Sequence, residues 1–546
     1  MTEAGVHRSQ RATGRRWSRS SAAPLEWCLL VLLTVPWACL ANAGDSPAGE
    51  LQLRFAAAER LVIESDRLGL AEQFHGQVGR LPDLTLRLAT DGRVLVPAQR
   101  QPMPGSHPLW QALAGEGSWE RDATRTLVLK LPLDLLEQGA NCIHYGTLEA
   151  TLPVGGEGTA VLQVTGQTCE YFKFRARFQG SARWRPAGVA VAPAHESRFP
   201  VYNLEQLQRD TGIEGARLAP PEGVSAEHLT VAGLLLDGRH YQSGCAAAAG
   251  VSRRCEQLPL PSFSLSKSLV AGVALMRLER LVPGSSQRTI GELLPACGKD
   301  WDQVTLRQAL DMQTGRYDSP VYFADEDAAI ASPLFLAPGH AAKLAWACTA
   351  YPRREAAGER WVYHTGDTYI LVSAMAALLR ELRDDERADL YSDLLHGEAW
   401  SRLSLGPLAA FTRRTADAAA QPFGGWGQLL TADDLLQLGL WLAAQGRQPE
   451  LLDPDMIRAA ITPRGALPGV AAGSAGLRYQ HGFWLLDAAP TLGCAQPYWI
   501  PFLSGHGGIT LALLNENTLY YYVSDNNEFR WLSAVVAVHQ QRPLCQ

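Results

Sequence analysis

"SFSLSKSLVAGVALMRLERL", residues 262–281, places a serine three positions before a lysine, at the start of an apolar run with helical spacing. The chain has 546 residues but only five lysines, so arginine supplies nearly all of its positive charge. Residues three positions apart lie on the same face of a helix. The stretch therefore predicts a helix that brings the Ser264 hydroxyl and the Lys267 amine within reach of each other.

This pair has the elements of a nucleophile and its base. A serine hydroxyl attacks poorly unless a base takes its proton, and a lysine can be that base if an apolar environment lowers its pKa. The segment "LVAGVALM" (269–276) supplies such an environment, and the N–H groups of a helix amino terminus suit a developing oxyanion. The alternative is an N-cap serine followed by a solvated lysine, since Ser-x-x-Lys alone is a weak motif.

Two further segments carry side chains with suitable chemistry. In "RWVYHTGDTYILVSAM" (360–375), Tyr363 precedes a helical run, and a nearby ammonium would lower its pKa so that it could shuttle a proton. In "LSGHGGITLALL" (503–514), His506 and two glycines lead into an apolar strand whose N–H groups could complete an oxyanion hole. Taken alone, each segment is equally compatible with a packed core tyrosine or an ordinary glycine turn.

The order of these motifs resembles the penicillin-recognising serine hydrolase superfamily: Ser-x-x-Lys, then Tyr-x-Thr about a hundred residues later, then His-Gly-Gly near the carboxyl end. Within it, the chain is most similar to the class C β-lactamase-related branch, which includes 6-aminohexanoate-dimer hydrolase and several esterases. The segments 304–319, 363–375 and 424–442 also resemble motifs of that branch. The resemblance covers roughly residues 220–540.

The resemblance implies an α+β fold of the β-lactamase/transpeptidase type, in which an antiparallel sheet flanked by helices meets a helical part at the active site. It implies Ser264 as the nucleophile, Lys267 as its base and Tyr363 as the proton shuttle. The oxyanion hole would consist of the backbone N–H groups of Ser264 and Ile509. The other substrate-binding positions would be Thr365, His506, Gly507 and Gly508. No metal or cofactor is implied.

Two departures from the superfamily pattern bear on the substrate. Its Tyr-x-Asn is Tyr-His-Thr here, at 363–365, and its Lys-Thr-Gly is His-Gly-Gly, at 506–508. A histidine with an unperturbed pKa of about 6.5 is mostly uncharged near neutral pH, and Gly507 offers no hydroxyl. We therefore expect poor binding of the carboxylate of a penicillin or peptide.

The first 43 residues predict an export signal. Five arginines precede the apolar run "CLLVLLTVPWACLA" (28–41), and "ANA" (41–43) has the small-x-small pattern of a cleavage site. An uncleaved membrane anchor is the alternative, but the run is shorter than the ~20 residues that comfortably span a bilayer. We expect an exported protein, periplasmic or secreted, whose only membrane contact would be an uncleaved signal.

The cysteines after the signal predict disulfides. Eight remain, an even number that suits an exported chain and allows about 105 connectivities. Proximity in the sequence favours Cys142 with Cys169 and Cys245 with Cys255. It leaves two less constrained pairs, Cys297 with Cys348 and Cys494 with Cys545.

The hydrophobic pattern divides the rest of the chain. From 44 to 185 it has period two, which is typical of strands and predicts a β-rich domain, for which a sandwich is one arrangement. Residues 186–200 are rich in proline and alanine and predict a linker. From 201 to 546 the pattern is mixed, with helices expected at 265–281, 368–383, 431–446 and 529–541 and strands around 229–241 and 508–526.

We conclude from the sequence that the protein is an exported serine hydrolase acting on esters or amides of small carboxylic acids. A cell-wall D-amino-acid peptidase or a β-lactamase is the alternative enzyme, and a non-catalytic binding protein on a hydrolase scaffold is the alternative outside enzymes. The net charge of -6 gives no reason to expect a nucleic-acid partner. The expected partner is a small ester or amide.

Overall fold

The computed structural model describes residues 47–90, 94–165, 169–191, 196–245, 255–463, 465 and 467–545. The predicted signal, 1–43, lies outside the described residues. Residues 47–546 form one compact unit that contains two large sheets.

The first sheet is built from ten antiparallel strands among the described residues. They are β1 Gly49–Phe55, β2 Arg60–Asp66, β3 Leu84–Thr90, β4 Val94–Pro97, β5 Trp110–Ala114, β6 Gly117–Arg121, β7 Leu127–Glu137, β8 Ile143–Leu152, β9 Gly158–Thr165 and β10 Phe172–Pro186. Strand β1 pairs with both β3 and β10, so the sheet closes on itself. Alternate side chains such as Leu129 and Leu131 are buried inside it. The β-rich prediction is confirmed, but one closed sheet replaces the sandwich because the ring buries the inward side chains without a second sheet.

The second sheet has nine strands in the order β11-β13-β12-β21-β20-β19-β18-β17-β16, and a separate short pair is formed by β14 and β15. The strands are β11 Val201–Asn203, β12 Leu229–Leu236, β13 Arg239–Gln242, β14 Leu260–Pro261, β15 Leu429–Leu430, β16 Val470–Ala471, β17 Leu477–Gln480, β18 Phe483–Asp487, β19 Trp499–Gly505, β20 Ile509–Leu513 and β21 Thr518–Ser524. Only β11 and β13 pair in parallel. The strands predicted around 229–241 and 508–526 are confirmed.

The described α-helices lie mostly between β13 and β16. They are α1 Leu70–Gln73, α2 Leu204–Thr211, α3 Val273–Leu281, α4 Ile290–Leu293, α5 Leu306–Leu310, α6 Ala328–Leu336, α7 His340–Thr349, α8 Thr365–Arg383, α9 Ala432–Arg447, α10 Pro454–Ile461, α11 Ala489–Leu492 and α12 Leu532–Gln541. Helix α9 begins after a capping box formed by Thr431 and Asp434, as their spacing predicts.

The nine-stranded sheet is covered on both faces. Leu235 and Leu511 pack in the same core as α3, α8 and α9, and that core continues into the ten-stranded sheet. Leu234 and Tyr520, on the other face, pack with α2 and α12. This is the α+β arrangement predicted from the sequence: an antiparallel sheet flanked by helices, a helical part and a preceding β-rich domain. The proposed domain boundaries at 186 and 201 stay predictions.

The helix expected at 265–281 differs at its start. Residues Lys267–Gly272 are π-helical, and α3 begins only at Val273. Gly272 lies close to a neighbouring loop, since a Cβ there would be 3.0 Å from the His481 carbonyl oxygen. Short π-helical segments are often found at functional sites, because the wider turn changes which side chains face a neighbour.

Four disulfides join the cysteine pairs predicted from the sequence: Cys142–Cys169, Cys245–Cys255, Cys297–Cys348 and Cys494–Cys545. Disulfides are typical of proteins in oxidising compartments. In the described part of the chain, each helix is too short or too polar to cross a membrane.

Candidate active site

Ser264 lies in the turn between β14 and the helix, and it is the partly exposed residue in a buried stretch. The Lys267 Nζ is 2.9 Å from the Ser264 Oγ and 2.9 Å from the Thr365 Oγ1. Lys267 itself is only 2% exposed. The structure therefore brings together three of the residues singled out in the sequence.

Burial changes the acid–base behaviour of the lysine. It lowers the pKa of Lys267 to about 8, and the negative charge of Glu326 acts weakly in the opposite direction. A base is most useful when its pKa is close to the working pH, and it must lie within hydrogen-bond distance of the proton it takes. Lys267 meets both conditions with respect to the Ser264 hydroxyl.

The residue before the serine has a left-handed backbone. Phe263 has φ 42°, a conformation that costs a bulky residue about 1–3 kcal/mol. The Phe263 N–H donates to the Asn141 Oδ1 at 2.7 Å, and Asn141 belongs to the ten-stranded sheet domain. The chain thus reverses direction between β14 and the helix, and the hydrogen bond from Phe263 to Asn141 stabilises this turn.

Tyr363 lies beside the pair, but its pKa moves in the direction opposite to the one predicted. Burial, together with the negative charge of Glu326, raises the pKa of Tyr363 well above its usual value, against a lowering contribution from a hydrogen bond with Ser264. The Lys267 Nζ lies over the face of the tyrosine ring, 4.8 Å from its centroid. The prediction that an ammonium lowers this pKa is wrong, and Tyr363 is suited to donate a proton as the neutral phenol.

Thr365 stands where the superfamily has an asparagine, and Glu326 fixes the direction of its hydrogen bonds. The Thr365 N–H and Oγ1 donate to the two oxygens of the Glu326 carboxylate at 2.6 Å and 2.5 Å. Because the threonine hydrogen is used in this way, its Oγ1 can only accept from Lys267. A neutral amine that donates to Thr365 is left with its lone pair free to accept the Ser264 proton.

His364, between the tyrosine and the threonine, is fully buried between carboxylates. Its Nε2 is 3.0 Å from the Asp325 Oδ2 and its Nδ1 is 3.4 Å from the Asp367 Oδ2. Burial alone would lower the pKa of His364, but the two aspartates raise it to about 9. The adjacent acidic residues Asp325 and Glu326 thus hold the adjacent residues His364 and Thr365.

The His-Gly-Gly segment leads into an apolar strand, as its sequence predicts. Residues 506–508 form the turn between β19 and β20, and both glycines have positive φ. Ile509 pairs with Gly505 across this hairpin, and Gly505 is the residue that packs on the nucleophile turn. A Cβ on Gly505 would lie 2.9 Å from the Ser262 carbonyl oxygen and 3.2 Å from the Phe263 Cβ. Gly505 is therefore the residue of this hairpin that packs on the nucleophile turn, and the Ile509 N–H as an oxyanion donor stays a prediction.

His506 lies at the rim of the site with a carboxylate partner. Its Nε2 is 2.9 Å from the Glu170 Oε2, and its ring lies parallel to that of Phe323 with the centroids 6.3 Å apart. Burial alone would raise the pKa of Glu170, but the bond with His506 and the charge of Arg67 hold it below its usual value. The histidine that replaces the superfamily's lysine is thus already bound to an anion.

An aromatic cavity of about 380 Å³ adjoins Tyr363. Its lining combines polar groups, such as Ser474 and Arg478, with the side chains of Tyr322, Trp361, Val362, Leu467, Ala472 and Trp499. Arg478, which also lines it, donates to the backbone carbonyls of Pro468 and Gly469. The cavity suits an uncharged group of modest size.

One cluster among the described residues has the donor atoms of a metal site: Glu137, His144 and Cys169. Cys169 is joined to Cys142, so its sulfur is not a thiolate. The Glu137 carboxylate already accepts from His144 at 3.1 Å and from the Tyr171 hydroxyl at 2.6 Å. The cluster is a hydrogen-bond network centred on Glu137, in which the buried His144 Nδ1 has no hydrogen-bond partner among the described residues.

Sequence reasoning missed four residues of this site: Asn141, Glu170, Glu326 and Gly505. The run "DED" at 325–327 and the doublet before the turn at 504–505 are visible in the sequence. Their distances from Ser264 in the sequence do not predict these contacts, because the fold brings distant segments of the chain together.

No protein-family model matches the chain, and no curated protein matches it. Solved structures similar to it include a protein from Bacillus anthracis assigned as 6-aminohexanoate-dimer hydrolase, at 14% identity and TM-score 0.46, covering 64% of this chain and 89% of that one. The hydrolase EstCE1, described as having promiscuous acyltransferase activity, has 16% identity, TM-score 0.40 and coverages of 62% and 96%. A class C β-lactamase in complex with cefoxitin has 16% identity, TM-score 0.42 and coverages of 61% and 98%.

Proposed function

We propose that the protein is a serine hydrolase that cleaves esters or amides of small carboxylic acids through an acyl-Ser264 intermediate. The observation that carries the proposal is the 2.9 Å contact between the Ser264 Oγ and the buried Lys267 Nζ, whose pKa is lowered to about 8. A serine beside an amine of which an appreciable fraction is neutral near physiological pH is an activated nucleophile.

In the proposed reaction, Lys267 takes the Ser264 proton as the Oγ attacks the substrate carbonyl carbon. The negative charge that develops on the carbonyl oxygen would be stabilised by the N–H group of Ser264 and by a backbone N–H group of the β19–β20 hairpin, for which the resemblance implies Ile509. Tyr363 gives its proton to the leaving group and regains one from Lys267, and the leaving group departs. Water then attacks the acyl-enzyme, its proton passes to the same pair of residues, and Ser264 recovers its hydrogen as the acid leaves.

The charges around the site favour uncharged substrates. Glu326 lies behind Thr365, and His506 at the rim is occupied by Glu170. A substrate carboxylate would meet two carboxylates and no unpaired lysine of the kind expected in penicillin-binding relatives. Losing a charge-assisted hydrogen bond costs about 1.5–3 kcal/mol, or roughly ten- to a hundredfold in affinity.

We expect short-chain esters to be better substrates than penicillins. At pH 8, kcat/KM for p-nitrophenyl butyrate should exceed that for benzylpenicillin at least about tenfold. The measurement is a panel of esters, amides, penicillins and D-Ala-D-Ala peptides on the purified protein, with intact mass spectrometry to detect the acyl adduct. A higher kcat/KM for the penicillin would move the protein to the β-lactamase alternative, and a preference for the peptide to the peptidase.

We also expect kcat/KM to rise with pH to a plateau, with its midpoint near pH 8, because Lys267 accepts a proton only when it is neutral. The value at pH 6 should be about a hundredfold below the plateau. Since the Glu326 charge raises the Lys267 pKa, Glu326→Gln should shift the midpoint to lower pH, whereas the exposed Glu450→Gln should leave it unchanged. A flat profile, or a midpoint that moves upward in Glu326→Gln, would contradict the assignment of Lys267 as the base.

The alternative of a non-catalytic binding protein makes a different prediction for a fluorophosphonate probe. A hydrolase should gain one phosphonyl group on Ser264, and a binding protein should gain none.

Export is also part of the proposal, and the disulfides support it. Amino-terminal sequencing of the mature protein tests it, with an expected start near Gly44.

A further inference from the structure

The loops at one end of the ten-stranded sheet reach the proposed active site. Asn141, in the loop between β7 and β8, is 1% exposed and contacts the nucleophile turn. Glu170, just before β10, is 7% exposed and contacts His506. The two catalytic elements, the turn and the β19–β20 hairpin, are therefore each held by a side chain of the amino-terminal domain.

Asn141 is hydrogen-bonded through both of its side-chain groups. Its Oδ1 accepts from the Phe263 N–H at 2.7 Å, the Gly427 N–H at 3.0 Å and the Ser262 Oγ at 3.2 Å. Its Nδ2 donates to the Gln428 carbonyl oxygen at 3.4 Å. A strained residue such as Phe263 keeps its conformation only if its surroundings impose it. Asn141 supplies that constraint one residue before the nucleophile.

The two contacts are covalently linked to each other. Asn141 precedes Cys142 and Glu170 follows Cys169, and these cysteines form a disulfide. We call Asn141, Glu170 and this disulfide the clamp. Tyr171 adds to it, because its ring lies 6.3 Å from the rings of both Phe263 and His506.

We propose that the clamp positions the nucleophile turn and the β19–β20 hairpin relative to each other, so that the amino-terminal domain is a working part of the active site. This inference rests on the function proposed above. Asn141 and Glu170 are positioning residues: they act through Phe263 and His506 and need not touch the substrate. The amino-terminal domain, which the sequence left without a role, thereby acquires one.

The experiment compares variants of the full chain. Asn141→Ala removes the side-chain oxygen that accepts from the Phe263 N–H in the nucleophile turn. Glu170→Ala removes the carboxylate that binds His506. Glu170→Gln keeps an oxygen acceptor at that position but removes the negative charge. Glu59→Ala is the control within the same domain, since Glu59 binds only surface side chains of that sheet in the contacts described, Arg177 and Gln179. The double variants Cys142→Ser/Cys169→Ser and Cys494→Ser/Cys545→Ser compare the clamp disulfide with another disulfide.

Two quantities are measured for each variant: kcat and KM for an ester, and the second-order rate of fluorophosphonate labelling at Ser264. Misplacing a reacting group by about 1 Å costs about a hundredfold in rate. We expect Asn141→Ala to lose about that factor in kcat and in labelling rate, with KM changed less than about threefold. Glu170→Ala should lose about tenfold, and Glu170→Gln should recover most of it. Glu59→Ala and the Cys494/Cys545 pair should match the wild type.

Near-ultraviolet circular dichroism and thermal unfolding report the folded fraction of each variant. If the Cys142/Cys169 variant does not fold, the single substitutions carry the test because they keep the disulfide. Labelling rates within about twofold of wild type in both alanine variants would overturn the clamp alone. A loss that follows the unfolded fraction would also overturn it. Absence of labelling and turnover in the wild type would overturn both the clamp and the proposed function.

Discussion

Replacement of Ser264 by alanine is expected to reduce ester hydrolysis at least about a thousandfold, because the acyl intermediate can no longer form. The same substitution should leave the free energy of unfolding within about 2 kcal/mol of wild type, since a partly exposed hydroxyl loses its hydrogen bonds with Lys267 and Tyr363, and a typical hydrogen bond contributes about 1 kcal/mol. The measurement is steady-state turnover together with thermal unfolding of the same preparation.

The control for this substitution is Ser401→Ala, a change at an exposed serine whose hydroxyl bonds only the Glu398 carbonyl in the contacts described. It should retain full activity. Intact mass after fluorophosphonate treatment should show one adduct on wild type and on Ser401→Ala, and none on Ser264→Ala. Turnover that survives in Ser264→Ala would remove this residue from the nucleophile role.

Lys267→Arg should be nearly as damaging as the loss of the serine. Arginine keeps its proton at any working pH, so it cannot accept one from Ser264. The guanidinium is also larger than the site allows, because Lys267 is 2% exposed. Lys267→Met is therefore tested as a second variant, because methionine has a similar length but is neither a base nor charged. Both variants should lose about a thousandfold in kcat/KM.

Lys130→Arg, on an exposed strand position paired with Glu149, is the matched control and should be fully active. Unfolding curves separate a missing base from a disrupted core. A Lys267→Arg variant with wild-type kcat/KM would show that the lysine is not the base. Retained activity in Lys267→Met would lead to the same conclusion.

The elements with strong local patterns were predictable from the sequence. The period-two segments became strands, the apolar helical runs became α3, α8 and α9, and the three-residue spacing of Ser264 and Lys267 placed them in contact. In each case the information lies within about twenty residues of sequence.

The parts that could not be predicted depend on contacts between distant segments. Glu326 reaches Thr365 from a single 3₁₀ turn, and Glu170 reaches His506 from the segment before β10, so no periodic pattern in the sequence predicts either contact. The direction of the Tyr363 pKa was missed for a related reason. Its sign depends on how deeply the ring is buried and on the negative charge of Glu326.

The pairing of β12 with β21 has a consequence for how the chain reaches its native state. Leu236 in β12 pairs with Thr518 in β21, and more than half of the chain's length separates them. Loop closure over such a distance is slow, and the middle of the sheet stays open until the last strands have been synthesised. The nine-stranded sheet therefore cannot be completed until the chain itself is nearly complete. A chain that terminates before residue 518 would leave β12 as a bare edge, open to pairing with other molecules.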